Sequence, residues 1–266
     1  MPERRLVLNH HRTGRGEPLL LLHGIGHRWQ AWEPVIDLLA AHHEVIAVDL
    51  PGFGRSPVPP EGMPATMDKA VAAVRRYLEE NGIERPHAAG NSLGGGIALE
   101  LAAADVAASA TALSPAGFFT PEEARAGLRR LTAMRASTYF PNPLLSLALR
   151  VPTVRNSSFG QIHTRPEALD HRRLVGDALS LRRGRGFRPV KRTGPSYVFL
   201  GRPSVPVTVA WAEHDRILPI AQAERARERL PEARHVTLSG CGHVPMGDDP
   251  EAVAKAILTT TGAARD

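Results

Sequence analysis

Short apolar runs alternate along the chain with longer segments whose apolar residues recur every three or four positions. The run Leu19–Leu22 is apolar throughout, which is typical of a strand buried on both faces of a parallel sheet. The segment Ala31–His42 has apolar residues at helical spacing and Pro34 near its start, which predicts a helix. Further strands are predicted at Val45–Leu50, Pro86–Gly90, Thr111–Ser114, Val205–Trp211 and His235–Leu238. Further helices are predicted at Met67–Asn81, Leu93–Ala104, Ile220–Leu230 and Pro250–Thr260.

Strict alternation of strands and helices predicts the α/β class, because each helix crosses back over the sheet to start the next parallel strand. We therefore expect a mainly parallel open sheet with helices on both faces. The alternation stops between residues 119 and 200, where prolines separate helical patches at Glu122–Thr132 and Glu167–Leu181. The simplest interpretation is a core in two parts, residues 1–118 and 201–266, with a helical cap inserted at residues 119–200.

The N-terminal residues predict a short β-hairpin, formed by Arg4–Leu8 and His11–Gly16 with glycines at its turn. They contain no apolar run typical of a signal peptide, and no later run reaches the roughly 18 apolar residues of a membrane span. The composition, 42% apolar and 23% charged, is that of a soluble globular protein. We therefore expect a cytoplasmic protein without a membrane partner. The single cysteine, Cys241, excludes an intrachain disulfide and a Cys-based metal site.

The net charge of +6 is concentrated in one segment. Six basic residues without an acid account for the whole excess, and they are Arg182, Arg183, Arg185, Arg188, Lys191 and Arg192. A basic face along the whole chain, as in nucleic-acid-binding proteins, is therefore absent, and we expect no nucleic-acid partner. Two interpretations of the segment remain. It is either a solvated part of the cap or a contact for an anionic part of the substrate, since arginine binds carboxylates and phosphates in a bidentate manner.

One serine lies between glycines where a predicted strand gives way to a predicted helix. The stretch Gly90-Asn91-Ser92-Leu93-Gly94 fits the pattern G-x-S-x-G, in which a tight turn exposes the serine hydroxyl at the end of a sheet. A side chain at either glycine would collide with neighbouring backbone in such a turn. Ser92 is therefore the candidate nucleophile, provided that the chain supplies a base, an acid and an oxyanion site.

The later strands supply an acid and a base in the order expected for this motif. Asp215 follows the strand that ends at Trp211, and His243 follows the strand that ends at Leu238. Because the carboxyl ends of parallel strands share one sheet edge, we expect both side chains to lie near Ser92. A serine hydroxyl needs such a base, and the base needs an acid that holds its tautomer. Glu213 remains an alternative acid.

An oxyanion hole requires backbone N–H groups aimed at the attacked carbonyl oxygen. The N–H of Leu93, at a predicted helix N-terminus, is one candidate donor. The loop after the first buried strand supplies the second, and we predict Ile25, with Gly24 or Gly26 as alternatives.

With these motifs together, the chain resembles the α/β-hydrolase fold superfamily, in the serine-nucleophile branch with an H-G-x-G oxyanion loop and a helical cap. The similarity covers nearly the whole chain and rests on the segments His23–Gly26, Asp49–Ser56, Gly90–Gly95, Trp211–Asp215 and Gly242–His243. The resemblance implies that Ser92 is the nucleophile, Asp215 the acid and His243 the base. It also implies that residues 119–200 form a lid. A serine at position 92 argues against the branches whose nucleophile is an aspartate.

We expect a hydrolase that cleaves a small or medium carboxylic ester through an acyl-enzyme, with a small-molecule substrate and neither metal nor cofactor. The alternatives are a carbon–carbon bond hydrolase of the meta-cleavage type, another cofactor-free enzyme with the same triad, and a non-catalytic ligand-binding protein on the same fold. The cap region predicts a mainly apolar pocket. Its predicted substrate-binding residues are Phe118, Phe119, Tyr139 and Phe140. The oligomeric state does not follow from the sequence.

Overall fold

A seven-stranded sheet forms the centre of the computed structural model, which describes residues 6–263. Its strands are β1 His10–Thr13, β2 Pro18–Leu22, β3 Glu44–Val48, β4 His87–Asn91, β5 Ser109–Leu113, β6 Val207–Ala212 and β7 Arg234–Leu238. Leu19 to Leu22 are fully buried, as their uninterrupted apolar run predicts for a strand covered on both faces. The order across the sheet is β1-β3-β2-β4-β5-β6-β7. Neighbours are parallel except for β1 and β3.

Helices cover both faces of the sheet, and this confirms the predicted α/β class. The helices of the core are α1 Glu33–Ala40, α2 Met67–Glu80, α3 Leu93–Ala103, α9 Gln222–Arg229 and α10 Pro250–Thr261. Those between β5 and β6 are α4 Pro121–Ala136, α5 Asn142–Ala148, α6 Pro152–Phe159, α7 His171–Arg183 and α8 Phe187–Thr193. Helix α10 packs on α1, and α2 packs on α3.

The strand order reverses between β2 and β4. From β2 the chain adds β3 on one side and later β4 on the other. In open α/β sheets, ligands bind beyond the carboxyl ends of the strands at such a reversal. The loop after β2 and the loop after β4 are therefore the first places to look for a site, and they contain Ile25 and Ser92.

Helices α4–α8 lie in the segment for which the sequence predicts a cap, and we call residues 119–200 the insertion. The sequence predicted α4 and α7 but missed α5, α6 and α8. Helix α4 begins with a capping box, in which the Thr120 hydroxyl accepts from Glu123 N–H and the Glu123 carboxylate accepts from Thr120 N–H.

The predicted N-terminal hairpin is wrong. Arg4 and Arg5 lie outside the described residues, and residues 6–9 form no strand. The strand that does form, β1, pairs antiparallel with β3, where His10 faces Val48 in the register. The apolar character of Leu6 and Leu8 reflects burial of their side chains in the core.

Candidate active site

Ser92 lies at the junction of β4 and α3 in a backbone conformation that L-residues rarely adopt, with φ 58° and ψ −114°. Its N–H donates to Leu113 O at 2.9 Å, and its carbonyl oxygen accepts from Gly96 N–H and Ala116 N–H at 3.0 Å each. Strain of this kind persists where the surrounding structure overdetermines it. These bonds therefore fix the Ser92 side chain at the carboxyl edge of the sheet.

The glycines of the motif are required by close backbone packing. A Cβ on Gly90 would lie 2.0 Å from Gly94 O, and a Cβ on Gly94 would lie 2.1 Å from Leu22 O. From the loop after β2, Gly24 comes so close that a Cβ there would lie 3.2 Å from Ser92 Cβ. The loop that contains Ile25 is thereby packed directly against the candidate nucleophile.

A buried hydrogen bond joins Asp215 and His243. His243 Nδ1 donates to Asp215 Oδ2 over 2.7 Å, and both residues are buried. Asp215 Oδ1 accepts from the N–H groups of Ile217 and Leu218 at 2.8 Å each. Three hydrogen bonds therefore orient the carboxylate, as a residue that fixes an imidazole tautomer requires.

Ser92 and His243 line the same small cavity, but Ser92 Oγ makes no hydrogen bond to His243 within the described chain. Such bonds often tighten when substrate binds. The alternative acid, Glu213, lies at the surface, where its carboxylate accepts from Gly240 N–H at 2.8 Å. The structure thus brings Asp215, rather than Glu213, to His243.

Two side chains that the sequence analysis did not assign to the site hold the loop of His243. Asn91 Nδ2 donates to His243 O at 2.8 Å and to Leu113 O at 3.2 Å. Asp248 Oδ2 accepts from Gly242 N–H at 2.8 Å, and the same carboxylate accepts from Thr164 N–H at 3.1 Å. A signal for Asn91 was present, since asparagine is rare inside a buried strand. Asp248 lies just before the predicted helix Pro250–Thr260, where an aspartate in the sequence indicates a helix cap.

The N–H groups of Ile25 and Leu93, the predicted oxyanion donors, have no backbone acceptor in the described part of the chain. Leu93 is the first residue of α3, so its N–H has no acceptor within the helix. The N–H of Ile25 donates to no backbone carbonyl in the described part of the chain. Both residues line the same cavity as Ser92.

His23 braces the loop after β2. Its Nδ1 donates to Gly24 O at 2.7 Å, and its Nε2 accepts from Leu50 N–H at 2.9 Å. Burial lowers the pKa of His23, so the ring is neutral and serves as one donor and one acceptor. Its geometry is that of a structural residue.

Ser92 opens onto a large apolar cavity of about 530 Å³. The core contributes Ile25, Leu93 and Ile97 to its lining, and the insertion contributes residues such as Leu128 and Tyr197. The carboxylic acids in the described lining are Asp68 and Glu100, and no lysine or arginine is among them. The cavity therefore favours an uncharged, apolar group.

A second, small chamber of about 30 Å³ also contains Ser92 and His243. It lies between the loop after β2, the end of β4 and helix α7, and its other polar side chains are Asn91, His27 and Asp177. We call it the small chamber. Nothing in the sequence pattern linked His27 to Asp177. The one signal was that Asp177 is an acid at a position that the helical spacing of apolar residues in α7 assigns to the buried face.

Of the four predicted substrate-binding residues, Phe119 lines the large cavity and the other three do not. Phe118 is fully buried in the core, against Phe199. Tyr139 and Phe140 follow the C-terminus of α4 and are 57% and 54% exposed. Aromatic character alone does not tell which way a residue faces, and the structure places these three side chains outside both cavities that contain Ser92.

The arginine-rich segment does not reach the candidate nucleophile. Arg183, Arg185 and Arg188 are exposed. Arg182 donates to Thr138 O at 3.0 Å and Phe140 O at 2.7 Å. Neither cavity that contains Ser92 is lined by any of them. The geometry favours the solvated interpretation of this segment.

Among residues 6–263, no group of three or more His, Cys, Asp or Glu side chains is arranged to hold a metal ion. In the same part of the chain, no helix has the length and apolarity needed to cross a membrane.

Known proteins share the sequence pattern and the fold of this chain. Residues 19–256 match the model of the alpha/beta hydrolase family. The chain is 30% identical over 259 residues to a putative non-heme haloperoxidase of Mycobacterium phage D29, covering 92% of this chain and 87% of that one. It is 26% identical over 254 residues to Lipase 3 of a Moraxella species, covering 87% and 73%.

A solved structure of a meta-cleavage product hydrolase superposes with a TM-score of 0.77 at 19% identity, covering 97% of this chain and 96% of the other. At that identity the superposition shows a shared fold. The family model covers strands β3–β7, all but the first residue of β2, the insertion and every candidate site residue, and β1 lies before it. The chain therefore belongs to the alpha/beta hydrolase family.

Proposed function

We propose that the protein is a serine esterase that cleaves a small or medium carboxylic ester through an acyl-enzyme. The observation that carries the proposal is the strained Ser92 beside a buried Asp215–His243 pair, with Ser92 and His243 on one cavity. Family membership supports a hydrolase, and the residues present include a candidate for each part that ester cleavage by serine requires.

In the proposed reaction, Ser92 Oγ attacks the ester carbonyl while His243 Nε2 accepts the hydroxyl proton. Asp215 stabilises the imidazolium that forms, and the N–H groups of Leu93 and Ile25 hold the oxyanion. Collapse of the tetrahedral intermediate expels the alcohol, which takes the proton from His243. Water then loses a proton to His243 and attacks the acyl group, which releases the carboxylic acid and restores Ser92.

The absence of lysine and arginine from the described lining of both cavities favours an ester over the acidic diketones of the carbon–carbon alternative. A buried carboxylate without a cation nearby carries a large desolvation cost. The carboxylates of Asp68 and Glu100 in the large cavity would increase that cost.

Replacement Ser92→Ala tests the proposal. We expect kcat for 4-nitrophenyl butyrate to fall by about 10⁴-fold or more, because the nucleophile is lost. The matched control is Ser114→Ala. Ser114 lies at the end of the neighbouring strand, is buried, and lines neither cavity. The control should keep its activity while it folds.

Labelling by a fluorophosphonate gives an independent readout, since it requires an activated serine rather than a particular ester. Wild type should be labelled at Ser92, and Ser92→Ala should not. Turnover by Ser92→Ala within tenfold of wild type, or absence of labelling in the folded wild type, would exclude the proposed mechanism.

A further inference from the structure

The small chamber is lined by side chains with polar atoms that the described chain leaves without hydrogen-bond partners. His27 is 9% exposed, and neither of its ring nitrogens has a hydrogen-bond partner in the described chain. Asp177 is 4% exposed, and its Oδ2 likewise has none. His27 Nε2 and Asp177 Oδ2 lie 4.0 Å apart. Because buried polar atoms are nearly always hydrogen-bonded, these atoms mark a place for a ligand or water.

The backbone around His27 is fixed, so the unpartnered ring is not a consequence of a loose loop. His27 N–H donates to Gly24 O at 3.1 Å, and Ser180 Oγ on α7 donates to His27 O at 3.1 Å. Asp177 is held as well, because its Oδ1 accepts from Arg28 Nε at 2.9 Å. The two groups thus form a preorganised pair at the wall of the chamber.

The charges around the chamber select a neutral group. Arg28 and the buried Arg173 both lie beside the carboxylate of Asp177, with Arg173 Nε 3.7 Å from Oδ2. Burial lowers the pKa of His27 to about 3, so its ring is neutral at physiological pH. A carboxylate in the chamber would meet the carboxylate of Asp177, which is part of the lining. An ammonium group would gain little there, since the two guanidinium groups behind the lining already balance the charge of Asp177.

A hydroxyl group has the one donor and the one acceptor that His27 and Asp177 together require. It can donate to Asp177 Oδ2 and accept from the N–H of His27, whereas a keto or ether oxygen can only accept. A volume of about 30 Å³ has room for one such group or one or two water molecules. A substrate hydroxyl would replace a bound water without loss of its hydrogen bonds.

We propose that the small chamber binds a hydroxyl group of the substrate, placed one or two carbon atoms from the ester group, while the larger apolar part of the substrate occupies the large cavity. This inference rests on the proposed esterase function and specifies its substrate class. The natural substrate is then an ester with one bulky apolar side and one short hydroxylated side.

Two pairs of esters test the inference, because the two sides of the ester can be placed in either cavity. In the first pair, 2-naphthylmethanol is esterified with glycolic acid or with propionic acid. In the second, 2-naphthoic acid is esterified with ethylene glycol or with propanol. Within each pair a hydroxyl replaces a methyl group and the shape is nearly unchanged. The quantity measured is the ratio of kcat/KM for the hydroxylated ester to that for its partner.

His27→Leu removes both ring nitrogens, and His27→Gln keeps one donor and one acceptor. For at least one pair, we expect His27→Leu to lower the ratio by about tenfold or more relative to wild type. His27→Gln should keep most of the preference. Differences in intrinsic ester reactivity cancel, since each ratio is compared between enzymes.

The matched control is His163→Leu. His163 is also buried, and neither of its ring nitrogens has a hydrogen-bond partner in the described chain, although Nδ1 lies 3.7 Å from Asp248 Oδ1. It lines neither cavity that contains Ser92. Its ratio should equal that of wild type. Since the ratio is measured within each variant, a partly unfolded preparation does not change it.

Equal ratios in wild type and His27→Leu for both pairs would overturn the inference and show that the chamber holds water only. That result would leave the esterase proposal intact, provided that the four esters are cleaved and that Ser92→Ala abolishes cleavage. Failure of Ser92→Ala to abolish cleavage would instead exclude the esterase mechanism itself.

Discussion

The three buried histidines around Ser92 differ in how their rings are hydrogen-bonded. His23 uses both ring nitrogens, and His243 uses Nδ1. His27 uses neither within the described residues. His23 therefore braces a loop, His243 is the candidate base and His27 is a candidate ligand-binding residue. The side chain is the same in all three, and the neighbouring groups determine the role of each.

The acid stability of the protein should depend on His27. Burial is the main cause of its low pKa, which the carboxylate of Asp177 partly opposes and the nearby His23, Arg173 and His163 lower further. The unfolded state gains a proton near pH 6.5, whereas the folded state gains it near pH 3. The unfolded state thus binds more protons between these values, and stability falls as pH falls.

We expect His27→Leu to make the free energy of unfolding less dependent on pH. The slope below pH 6 should fall by up to the equivalent of one proton, which is about 1.4 kcal/mol per pH unit. The measurement is urea denaturation of wild type and variant between pH 7 and pH 4. Other titrating groups are present in both proteins, so the difference in slope isolates His27. Parallel curves for the two proteins would show that His27 is already protonated, or exposed to solvent, in the folded state.

At the residue scale, the sequence was sufficient where chemistry follows a local pattern. Ser92, Asp215 and His243 each follow a predicted strand, so their positions at one sheet edge could be inferred. The neighbourhood of His27 and Asp177 could not, because it depends on how α7 packs over the loop after β2. The same reason explains why Tyr139 and Phe140 were misplaced.

At the scale of the elements, the N-terminus of α3 packs closely against the backbone at the end of β2. A Cβ on Gly94 would lie 2.1 Å from Leu22 O, which is backbone and cannot move aside. A Cβ on Gly96, in the same helix, would come nearest to Met67 Cε at 2.9 Å, the end of a flexible side chain. The substitutions Gly94→Ala and Gly96→Ala therefore add the same methyl group to one helix, in one case against backbone and in the other against a flexible side chain.

We expect Gly94→Ala to lower the free energy of unfolding by about 3 kcal/mol or more and to reduce esterase activity, since it forces α3 away from β2. Gly96→Ala should change stability by about 1 kcal/mol or less, because the gain in helix propensity offsets the displacement of Met67. Urea denaturation measures both. Equal effects of the two substitutions would mean that the turn tolerates displacement of α3.

The strands of the sheet could be predicted from the sequence, whereas some of the helices could not. Strands of the parallel sheet were found because buried strands are apolar at every position. Helices α5 and α6 were missed because they are short and because their prolines suggested joints. Pro143 and Pro152 instead lie in the first turn of each helix, where a missing N–H costs nothing.

For the whole molecule, the carboxylate of Asp177 is one of the groups that join the insertion to the core. Asp177 on α7 lies beside Arg28, which follows the loop after β2, and beside Arg173 on its own helix. Loss of Asp177 leaves two guanidinium groups without their carboxylate, whereas loss of Arg28 leaves Asp177 with Arg173. The two sides of this ion pair should therefore contribute unequally to stability.

We expect Asp177→Ala to destabilise the protein by about 3–5 kcal/mol and Arg28→Ala by about half as much. The exposed pair Arg227–Glu224 supplies the control, and Arg227→Ala should change stability by about 0.5 kcal/mol or less. Urea denaturation of the three variants measures the loss in free energy of unfolding for each and so gives their order. A larger loss for Arg28→Ala than for Asp177→Ala would contradict the shared role of the carboxylate.

The chain leaves the sheet after β5 and returns in β6, and these two strands are neighbours. The ends of the insertion are close together, since Phe199 N–H donates to Gly117 O at 3.1 Å, so an exchange of this segment between relatives would preserve the sheet and the turn of Ser92. Such an exchange has one requirement. Arg28 stays with the recipient, and a donor segment without an acid at the position of Asp177 would leave that guanidinium without its partner. Recombination within the family is therefore expected to move insertions together with the residue at position 28.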